Sequence, residues 1–541
     1  MVPGRLELAG VTSVPNRRPL PDKRPLVCDH ASTMRTVPPE RRLGSELAAI
    51  LAFIAAFSVL VLEIAAGRLL APYVGVSLTT YTGIIGVILG GIALGAWAGG
   101  KAADRYGPVA LLGPTFAVGG LTAMASVPIV DVAGTLGLGT GLEAIVVLAT
   151  VGFVLPATTL SAVAPMVVRA TIVDVATSGA LVGRLSAAGT VGAISGTFLT
   201  GFVLLGTLPT RTIILATGTM LVLIGLGLTW RGRGTEPGTG PGPTLVGVVI
   251  GLLAVGTATL AAPKPCERES AYYCIRVVED PVRASGRTLM LDQLRHSYAD
   301  LADPNHLEFG YIRWFDAAVA QVVAARGADL DVLHVGGGGF SFPRHLAAAY
   351  PASRHTILEL DPIVYQTARN ELGFDPGTTA TVILGDARPS LLRLPEDAFE
   401  VVVGDAFGSL SVPWHLTTVE MIAELDRVLR PGGRYVMNLI DGPDLSFVRA
   451  EARTLATRFE HVAVIARAGS FAALEGGSTG GGNVVIVASH EPIDTADLAA
   501  RTARAGDRTR VVAGEPDLAR FIGDAPLLND DYAPVDQLIG R

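Results

Sequence analysis

The sequence has little charge. Only 17% of its 541 residues are charged and half are hydrophobic, whereas about a quarter of a soluble domain is charged. Ionisable residues are few between residues 47 and 262, and residues 263 to 541 have an ordinary soluble mixture. The chain is also too long for one compact core. The sequence therefore predicts two or more domains, with the first of them in a membrane.

Cysteine and basic charge are also scarce. Three cysteines cannot build a disulfide scaffold, and no Cys/His cluster has zinc spacing. We therefore expect no metal and no permanently bound cofactor. The net charge of −7 offers no basic surface for nucleic acid. The partners that remain are small molecules and the lipid bilayer, and the oligomeric state is left open.

Residues 1–45 combine many prolines and arginines. Such a composition cannot bury a core. We interpret this segment as a disordered basic leader.

Residues 46–262 contain seven apolar segments, each near the roughly 20 residues that cross a hydrocarbon core. The segments are 47–67, 80–100, 108–130, 143–168, 186–207, 211–230 and 244–262. This pattern predicts a multi-pass α-helical membrane bundle. Gly91, Gly95 and Gly99 recur every four residues, which lets a second helix approach closely. Glu63 either pairs with Arg68 or has a transport or substrate role.

The sidedness of the bundle follows from its short loops. Lys and Arg concentrate in alternate loops together with the leader, which predicts a cell-membrane protein with a cytoplasmic N-terminus. An odd number of spans would put residues 263–541 outside the cytoplasm. Cys266 and Cys274 follow the last span, and a disulfide between them is permitted on that side. We therefore predict this disulfide.

From residue 331 onward, β-rich runs alternate with helical stretches, which predicts a doubly wound, Rossmann-like α/β domain. The expected strands are 331–335, 355–360, 381–384, 399–403 and 434–440, and the runs 461–467 and 483–489 would complete seven strands. We expect the nucleoside-binding core at about 328–490. A small β-unit is expected before it, at about 271–300.

Three motifs predict a nucleoside ligand. Gly336, Gly337 and Gly338 follow the first strand of the core, where glycines let a ligand approach the backbone. Glu359 ends the second strand, about 20 residues further on, where an acidic residue can accept hydrogen bonds from both ribose hydroxyls. Asp386 and Ala387 close the third strand, in a position suited to contact the base.

A series of motifs resembles the polyamine aminopropyltransferases, the family of spermidine synthase, on the fold of S-adenosylmethionine-dependent methyltransferases. The motifs are, in order, Leu291-Asp292, Glu308-Phe309-Gly310-Tyr311, Gly336-Gly337-Gly338, Glu359-Leu360-Asp361, Gly385-Asp386 and Val403-Gly404-Asp405. The late run Asn529 to Asp536 and the run Glu63 to Tyr73 resemble a branch in which a transporter-like membrane bundle precedes the synthase domain.

The resemblance implies the transfer of an aminopropyl group from decarboxylated S-adenosylmethionine to a diamine such as putrescine. Asp405 would then be the catalytic base, and Glu359 would bind the ribose. Asp386 and Ala387 would contact the adenine. Tyr311 would border the amine site. His296 stands where the family has a glutamine and is a candidate substrate-binding residue.

Two departures from the family pattern keep other functions open. Gly339 and Gly408 stand where the family usually has aspartates that bind the diamine. One alternative is a methyltransferase that uses S-adenosylmethionine on another acceptor. The other is a non-enzymatic transporter or sensor whose α/β domain binds a nucleoside or polyamine.

Overall fold

The computed structural model describes residues 43–172, 178–232, 242–408, 411–475, 481–506 and 508–539. All but the last three residues of the predicted leader lie outside these ranges.

The N-terminal part is a bundle of long apolar helices. Their bounds are α1 Ser45–Val74, α2 Leu78–Tyr106, α3 Pro108–Gly134, α4 Leu142–Ser161, α5 Val163–Thr171, α6 Ser178–Leu199, α7 Leu205–Thr207, α8 Thr210–Gly232 and α9 Pro243–Ala261. A π-helical turn, Thr200–Leu204, joins α6 to α7.

Among the residues that the structure describes, six helical units are long and apolar enough to cross a membrane: α1, α2, α3, α4 with α5, α6 with α7, and α8. The predicted segment 143–168 is not a single regular helix, because α4 ends at Ser161 and α5 begins at Val163. The seventh predicted segment forms α9, whose apolar stretch Leu245–Ala261 is shorter than the others. Its crossing therefore stays a prediction.

The glycine repeat of α2 is a packing surface, as predicted. A methyl group at Gly95 would overlap the carbonyl oxygen of Thr158 in α4, and one at Gly99 would lie 2.6 Å from the Cα atom of Ala162. These glycines therefore let the two helices touch along their backbones. The alternative that Glu63 pairs with Arg68 is wrong, because Arg68 instead donates to the carbonyl oxygens of Ser270 and Tyr272.

The C-terminal part contains two sheets. The first is antiparallel, in the order β1 Arg268–Glu269, β2 Cys274–Glu279, β3 Gly286–Leu291 and β4 Leu294–Asp300. It is the predicted small β-unit, and it begins three residues earlier than expected. Cys266 and Cys274 form the predicted disulfide next to its first strand.

The second sheet is the core of the α/β domain. Its strands are β5 Asp331–Val335, β6 Arg354–Glu359, β7 Ala380–Leu384, β8 Phe399–Gly404, β9 Leu429–Asp441, β10 His461–Arg467, β11 Gly482–Ser489 and β12 Thr509–Ala513. The helices are α10 Gly310–Arg326, α11 Ser341–Ala349, α12 Pro362–Glu371, α13 Ala387–Leu391, α14 Val419–Val428, α15 Ser446–Leu455, α16 Thr495–Arg504, α17 Asp517–Ile522 and α18 Val535–Ile539.

All seven predicted strands are present, and β12 adds an eighth that the sequence did not predict. The order is β12-β10-β11-β9-β8-β5-β6-β7. Strands β5 to β9 pair in parallel, whereas β10, β11 and β12 are antiparallel. Every residue of β8 is buried, as expected for a strand covered on both faces.

The strand order reverses between β5 and β8, which are neighbours although two strands separate them in sequence. Crevices at such switch points bind ligands in open α/β sheets. The two strand ends are tied together, because the backbone N–H of Asp405 donates to the carbonyl of Val335 over 2.9 Å. The glycine loop and Asp405 therefore face the same crevice.

Candidate active site

The glycine loop is shaped by its contact with the end of β8. Gly336 has a φ of +99°, which L side chains rarely adopt. A methyl group at this position would also overlap the carbonyl oxygen of Asp405. Gly336 is therefore required here by both its backbone conformation and its neighbour.

Glu359 is buried at the end of β6 and binds the glycine loop. Its Oε2 accepts hydrogen bonds from the backbone N–H groups of Gly337 and Gly338 at 2.9 and 3.0 Å. Its Oε1 accepts from the N–H of Asp361 at 2.8 Å. Burial raises the pKa of Glu359, while the three backbone hydrogen bonds lower it. The carboxylate thus orients the loop as well as facing the crevice.

Asp386 begins the short helix α13. Its Oδ1 accepts from the backbone N–H of Arg388 at 2.9 Å, and its Oδ2 lies 3.3 Å from Nε2 of His415. Ala387 lines the same crevice. Asp386 therefore has one oxygen in a helix cap and the other beside an imidazole at the crevice wall.

Asp405 is the centre of a buried polar chain. Tyr311 donates from its hydroxyl to Oδ2 of Asp405 at 3.2 Å. Asn438 donates from Nδ2 to Oδ1 of Asp405 at 3.0 Å, and Asn483 donates to Oδ1 of Asn438 at 3.1 Å. Two strands and one helix of the α/β domain thus supply the groups that orient one carboxylate.

Burial raises the pKa of Asp405 to about 6, although the hydrogen bonds from Asn438 and Tyr311 oppose this shift. The pKa of the Tyr311 phenol is raised, first by burial and then by the charge of Asp405. Tyr311 therefore stays protonated at neutral pH and can donate. A carboxylate with this pKa is ionised at neutral pH and is more basic than an ordinary aspartate.

His296 projects from β4 of the β-unit between Tyr273 and Phe407, with ring centres 6.4 and 6.3 Å away. Burial lowers the pKa of His296 to about 4, so the ring is neutral at physiological pH. Its Nε2 is buried without a protein hydrogen-bond partner. This nitrogen is free to bind a ligand.

Two adjoining pockets meet at His296 and Asp405. We call the first the glycine-loop pocket; it is lined by Tyr273, Leu291, His296, Gly336, Gly338, Leu358, Glu359, Leu360, Val364, Gly385, Asp386, Ala387, Asp405, Ala406, Phe407, Pro413, His415 and Leu416. We call the second the amide pocket; it is lined by Leu294, Arg295, His296, Phe309, Tyr311, Asp405, Phe407, Asn438, Ile440 and Asn483. The sequence-predicted site residues line one or both pockets, except Gly337, which donates to Glu359 from the loop itself.

The two pockets differ in charge. The glycine-loop pocket has three carboxylates, Glu359, Asp386 and Asp405, and none of its described lining residues is Lys or Arg. The amide pocket has Asp405 as the carboxylate among its described lining residues, and it has the guanidinium of Arg295. The first pocket therefore suits a cationic ligand, whereas the second carries both signs of charge.

Several site residues were not predicted from the sequence. Asn438 and Asn483 lie within strands that read as ordinary buried β-structure. Tyr273 donates from its hydroxyl to the carbonyl of Phe407 over 2.8 Å and so fixes the loop after Asp405. Arg388 forms a two-point ion pair with Asp530 at 2.6 and 2.7 Å. Only Asp530 had a signal, because it belongs to the late Asn529 to Asp536 motif.

The two glycines that replace family aspartates have different surroundings. A Cβ atom at Gly339 would lie 2.5 Å from Oγ of Ser297, so the β-unit fills the space that a side chain would need. Among the residues that the structure describes, a Cβ atom at Gly408 would meet nothing closer than 3.8 Å. An aspartate is therefore sterically excluded at Gly339 by its present neighbour, whereas the described neighbours of Gly408 leave room for one.

Comparisons with known proteins agree with the predicted resemblance. A family model described as a methyltransferase domain matches residues 333–437. The polyamine aminopropyltransferase of Vibrio vulnificus is 37% identical over 109 residues, which cover 20% of this chain and 36% of that protein. A probable polyamine aminopropyl transferase of Bifidobacterium longum is 28% identical over 148 residues, which cover 27% of this chain and 32% of that protein.

The chain thus spans about a third of the length of these curated relatives. A probable spermidine synthase from Corynebacterium glutamicum, a solved structure, is 26% identical with a TM-score of 0.45, over 49% of this chain and 95% of that one. The resemblance of the C-terminal region to the polyamine aminopropyltransferases is confirmed.

Proposed function

We propose that the chain is a membrane-bound transferase that moves an aminopropyl group from decarboxylated S-adenosylmethionine to an amine. The observation that carries this proposal is the glycine-loop pocket. It opens directly onto Asp405, the buried carboxylate whose pKa is raised to about 6. In this proposal, Glu359 binds the ribose, and Asp386 and Ala387 contact the adenine.

The charge of the glycine-loop pocket supports the decarboxylated donor. This donor carries a sulfonium and an ammonium and no carboxylate, and the pocket has three carboxylates without a described Lys or Arg in its wall. S-adenosylmethionine would bring its own carboxylate into this negative field, where like charges repel. The neutral His296 adds no positive charge beside the sulfonium.

In the proposed step, the amine nitrogen attacks the methylene carbon that is bonded to the sulfonium. A C–N bond forms as the C–S bond breaks, and the bonding electron pair goes to sulfur, so that neutral methylthioadenosine leaves. Asp405 accepts the proton that the amine must lose and later returns it to solvent. Tyr311 and Asn438 hold both oxygens of Asp405, so the carboxylate does not have to reorganise during the transfer.

Methyl transfer from S-adenosylmethionine is the second candidate, and the glycines at 339 and 408 favour it. A methyl acceptor does not have to be a diamine, so a methyltransferase would not need the two carboxylates that the family uses to bind one. The two reactions differ in their product, because methyl transfer yields S-adenosylhomocysteine and aminopropyl transfer yields methylthioadenosine.

The test uses the full chain in detergent or nanodiscs, with each donor and a panel of amines, and it measures both nucleoside products. We expect methylthioadenosine from the decarboxylated donor, and we expect Asp405→Asn to remove most turnover. Asp329→Asn, on an exposed carboxylate that pairs with Arg354, is the matched control and should retain activity. S-adenosylhomocysteine as the product would establish methyl transfer instead. Donor binding without either product would favour a sensor or transporter.

We also propose that the transferase domain lies outside the cytoplasm. The disulfide between Cys266 and Cys274 supports this position, because such bonds persist in oxidising compartments. The alternation of Lys and Arg among the loops agrees with it.

A further inference from the structure

The amide pocket indicates the chemical class of the acceptor. This inference rests on the proposed function, since the acceptor amine has to reach Asp405. A diamine in its usual state carries an ammonium at both ends, and both ends need an acceptor of hydrogen bonds or a negative charge. The described lining of the amide pocket offers a different set of groups.

Arg295 is the cationic group among the described lining residues of this pocket. It extends from β4 beside His296, and its guanidinium lies 5.3 Å from the centre of the Phe309 ring, a cation–π distance that favours a fixed position. Glu308 approaches one of its nitrogens only to 3.8 Å and is not among the residues that line the pocket. Arg295 therefore keeps donors that can face a ligand.

The asparagine pair adds neutral polarity rather than negative charge. The Nδ2 group of Asn438 is used by Asp405, and its Oδ1 is used by Asn483. Neither side chain can supply the charge that a second ammonium would need, and Asp405 is already required for the reacting amine. The described lining of the amide pocket thus has one carboxylate, Asp405, and one guanidinium, Arg295.

We propose that the acceptor is an amino carboxylate, with its amine at Asp405 and its carboxylate at Arg295. A guanidinium binds a carboxylate through paired, charge-assisted hydrogen bonds. An ammonium at the same place would be repelled. The glycines at positions 339 and 408 agree with this proposal, because they stand where the family usually has aspartates that bind the diamine, and they supply no negative charge for a second ammonium.

The test compares acceptors of equal length that differ only at the far end: 4-aminobutanoate, 1,4-diaminobutane and 1-aminobutane. Release of methylthioadenosine by the full-length protein gives kcat/KM for each acceptor. We expect 4-aminobutanoate to exceed 1,4-diaminobutane by about 10- to 100-fold, the range for one charge-assisted hydrogen bond. The same comparison with five-carbon acceptors allows for a longer pocket. A higher kcat/KM for the diamine or the monoamine in both series would overturn the assignment and leave the aminopropyl transfer standing.

Substitution of Arg295 makes the test specific. Arg295→Gln should remove the preference for the carboxylate, and Arg295→Glu should reverse it in favour of the diamine. The matched control is Arg287→Gln, on the neighbouring strand β3, because Arg287 has its own partner in Glu279 at 3.1 Å and lines neither pocket. Equal preferences in the Arg295 variants and the control would contradict the role of Arg295.

Binding measurements separate this inference from the proposed function. Calorimetry with each acceptor, in the presence of methylthioadenosine, reports the preference of the pocket without any reaction. Tighter binding of 4-aminobutanoate without turnover would overturn the transfer reaction and retain the amino carboxylate site. Tighter binding of the diamine would overturn the site itself.

Discussion

Tyr311 donates its hydroxyl hydrogen to Asp405 from the first turn of helix α10, across the crevice from the strand that carries the carboxylate. This hydrogen bond stabilises the ionised form of Asp405 and lowers its pKa, against the larger opposite effect of burial. If Asp405 is the base, the contact sets the lower edge of the pH range in which the enzyme works.

Tyr311→Phe should therefore move the acid limb of the pH–rate profile upward. In the unmodified protein we expect kcat/KM to rise through about pH 6, the pKa of Asp405. Without the phenol the midpoint should rise by roughly one pH unit, because a hydrogen bond to a charged group contributes about 1.5–3 kcal/mol and one unit corresponds to about 1.4 kcal/mol. Tyr365→Phe, on helix α12, is the control. An unchanged midpoint in Tyr311→Phe would show that another group controls the limb.

Asp405→Asn should stabilise the protein at neutral pH. The pKa of Asp405 in the folded protein is raised, so between about pH 4 and 6 the folded state binds more protons than the unfolded one, and stability falls as pH rises through that window. The amide does not titrate. The melting temperature of the variant should thus rise relative to that of the unmodified protein as the pH increases from 4.5 to 8. The change corresponds to at most ~3 kcal/mol in the free energy of unfolding. A difference independent of pH would mean that Asp405 has an ordinary pKa.

Glu359→Gln should weaken nucleoside binding by about 10- to 100-fold. The amide can accept through only one atom, so at least one of the three backbone N–H groups that Glu359 binds, those of Gly337, Gly338 and Asp361, loses its partner, and a ribose hydroxyl loses a charged acceptor. Calorimetry with methylthioadenosine measures the loss. Glu396→Gln, on an exposed side chain of the turn before β8, should bind as the unmodified protein does. Equal affinities of the two variants would remove Glu359 from the nucleoside site.

His296→Gln should retain activity, whereas His296→Lys should lose it. The imidazole is neutral at physiological pH, and a glutamine can also offer a donor and an acceptor near the unpartnered Nε2 position. A lysine would place a positive charge next to the sulfonium. The readout is kcat/KM for the donor, with melting temperature as a check on folding. Comparable loss in both variants would indicate that the ring acts through packing alone.

The disulfide should stabilise the β-unit and report its compartment. Loss of a bond that closes a segment of this length costs about 2–3 kcal/mol in the chain-entropy description. Cys266→Ser with Cys274→Ser should therefore lower the melting temperature, and Cys28→Ser should not. In cells, alkylation without reductant should leave Cys266 and Cys274 unlabelled, and a reporter fused after Glu267 should give an extracytoplasmic signal. Full labelling together with a cytoplasmic signal would reverse the proposed sidedness.

The sequence predicted the parts of this molecule whose signals are local. The apolar segments, the period of the strands and the glycine loop each depend on residues that are close together in the chain, and their positions agree with the structure. Glu359 and Asp405 were singled out from the sequence because Glu359 ends a strand and Asp405 directly follows one, and strand ends of a parallel sheet meet at one edge.

The unpredicted features depend on contacts between distant residues. Asn438 and Asn483 are 45 positions apart, and each looks like a single polar residue in a buried strand until the register of β9 and β11 makes them diagonal neighbours, with Asn483 opposite Ile440. Strand β12 is short and lies at the edge of the sheet. Few of its residues are buried, so its sequence shows little of the hydrophobic pattern that predicts a strand. The partner of Arg68 was mistaken for the same reason, because Ser270 is 202 residues away.

The segment between Cys266 and Cys274 is held from two sides. Arg68 binds the carbonyl oxygens of Ser270 and Tyr272, and the backbone N–H of Thr210 donates to Glu269 at 3.0 Å. On the other side, the hydroxyl of Tyr273 donates to the carbonyl oxygen of Phe407, in the loop that follows Asp405.

The disulfide closes residues 266–274 into a covalent ring. This ring is attached to the helix ends of the bundle and to the loop that follows Asp405, so it cannot rotate at one attachment without moving the other. The loop that follows Asp405 therefore has an orientation defined relative to the helix ends of the bundle. A truncated fragment that begins after the last membrane helix would retain every residue of the site. It would lose the contacts with the bundle that fix the orientation of this loop.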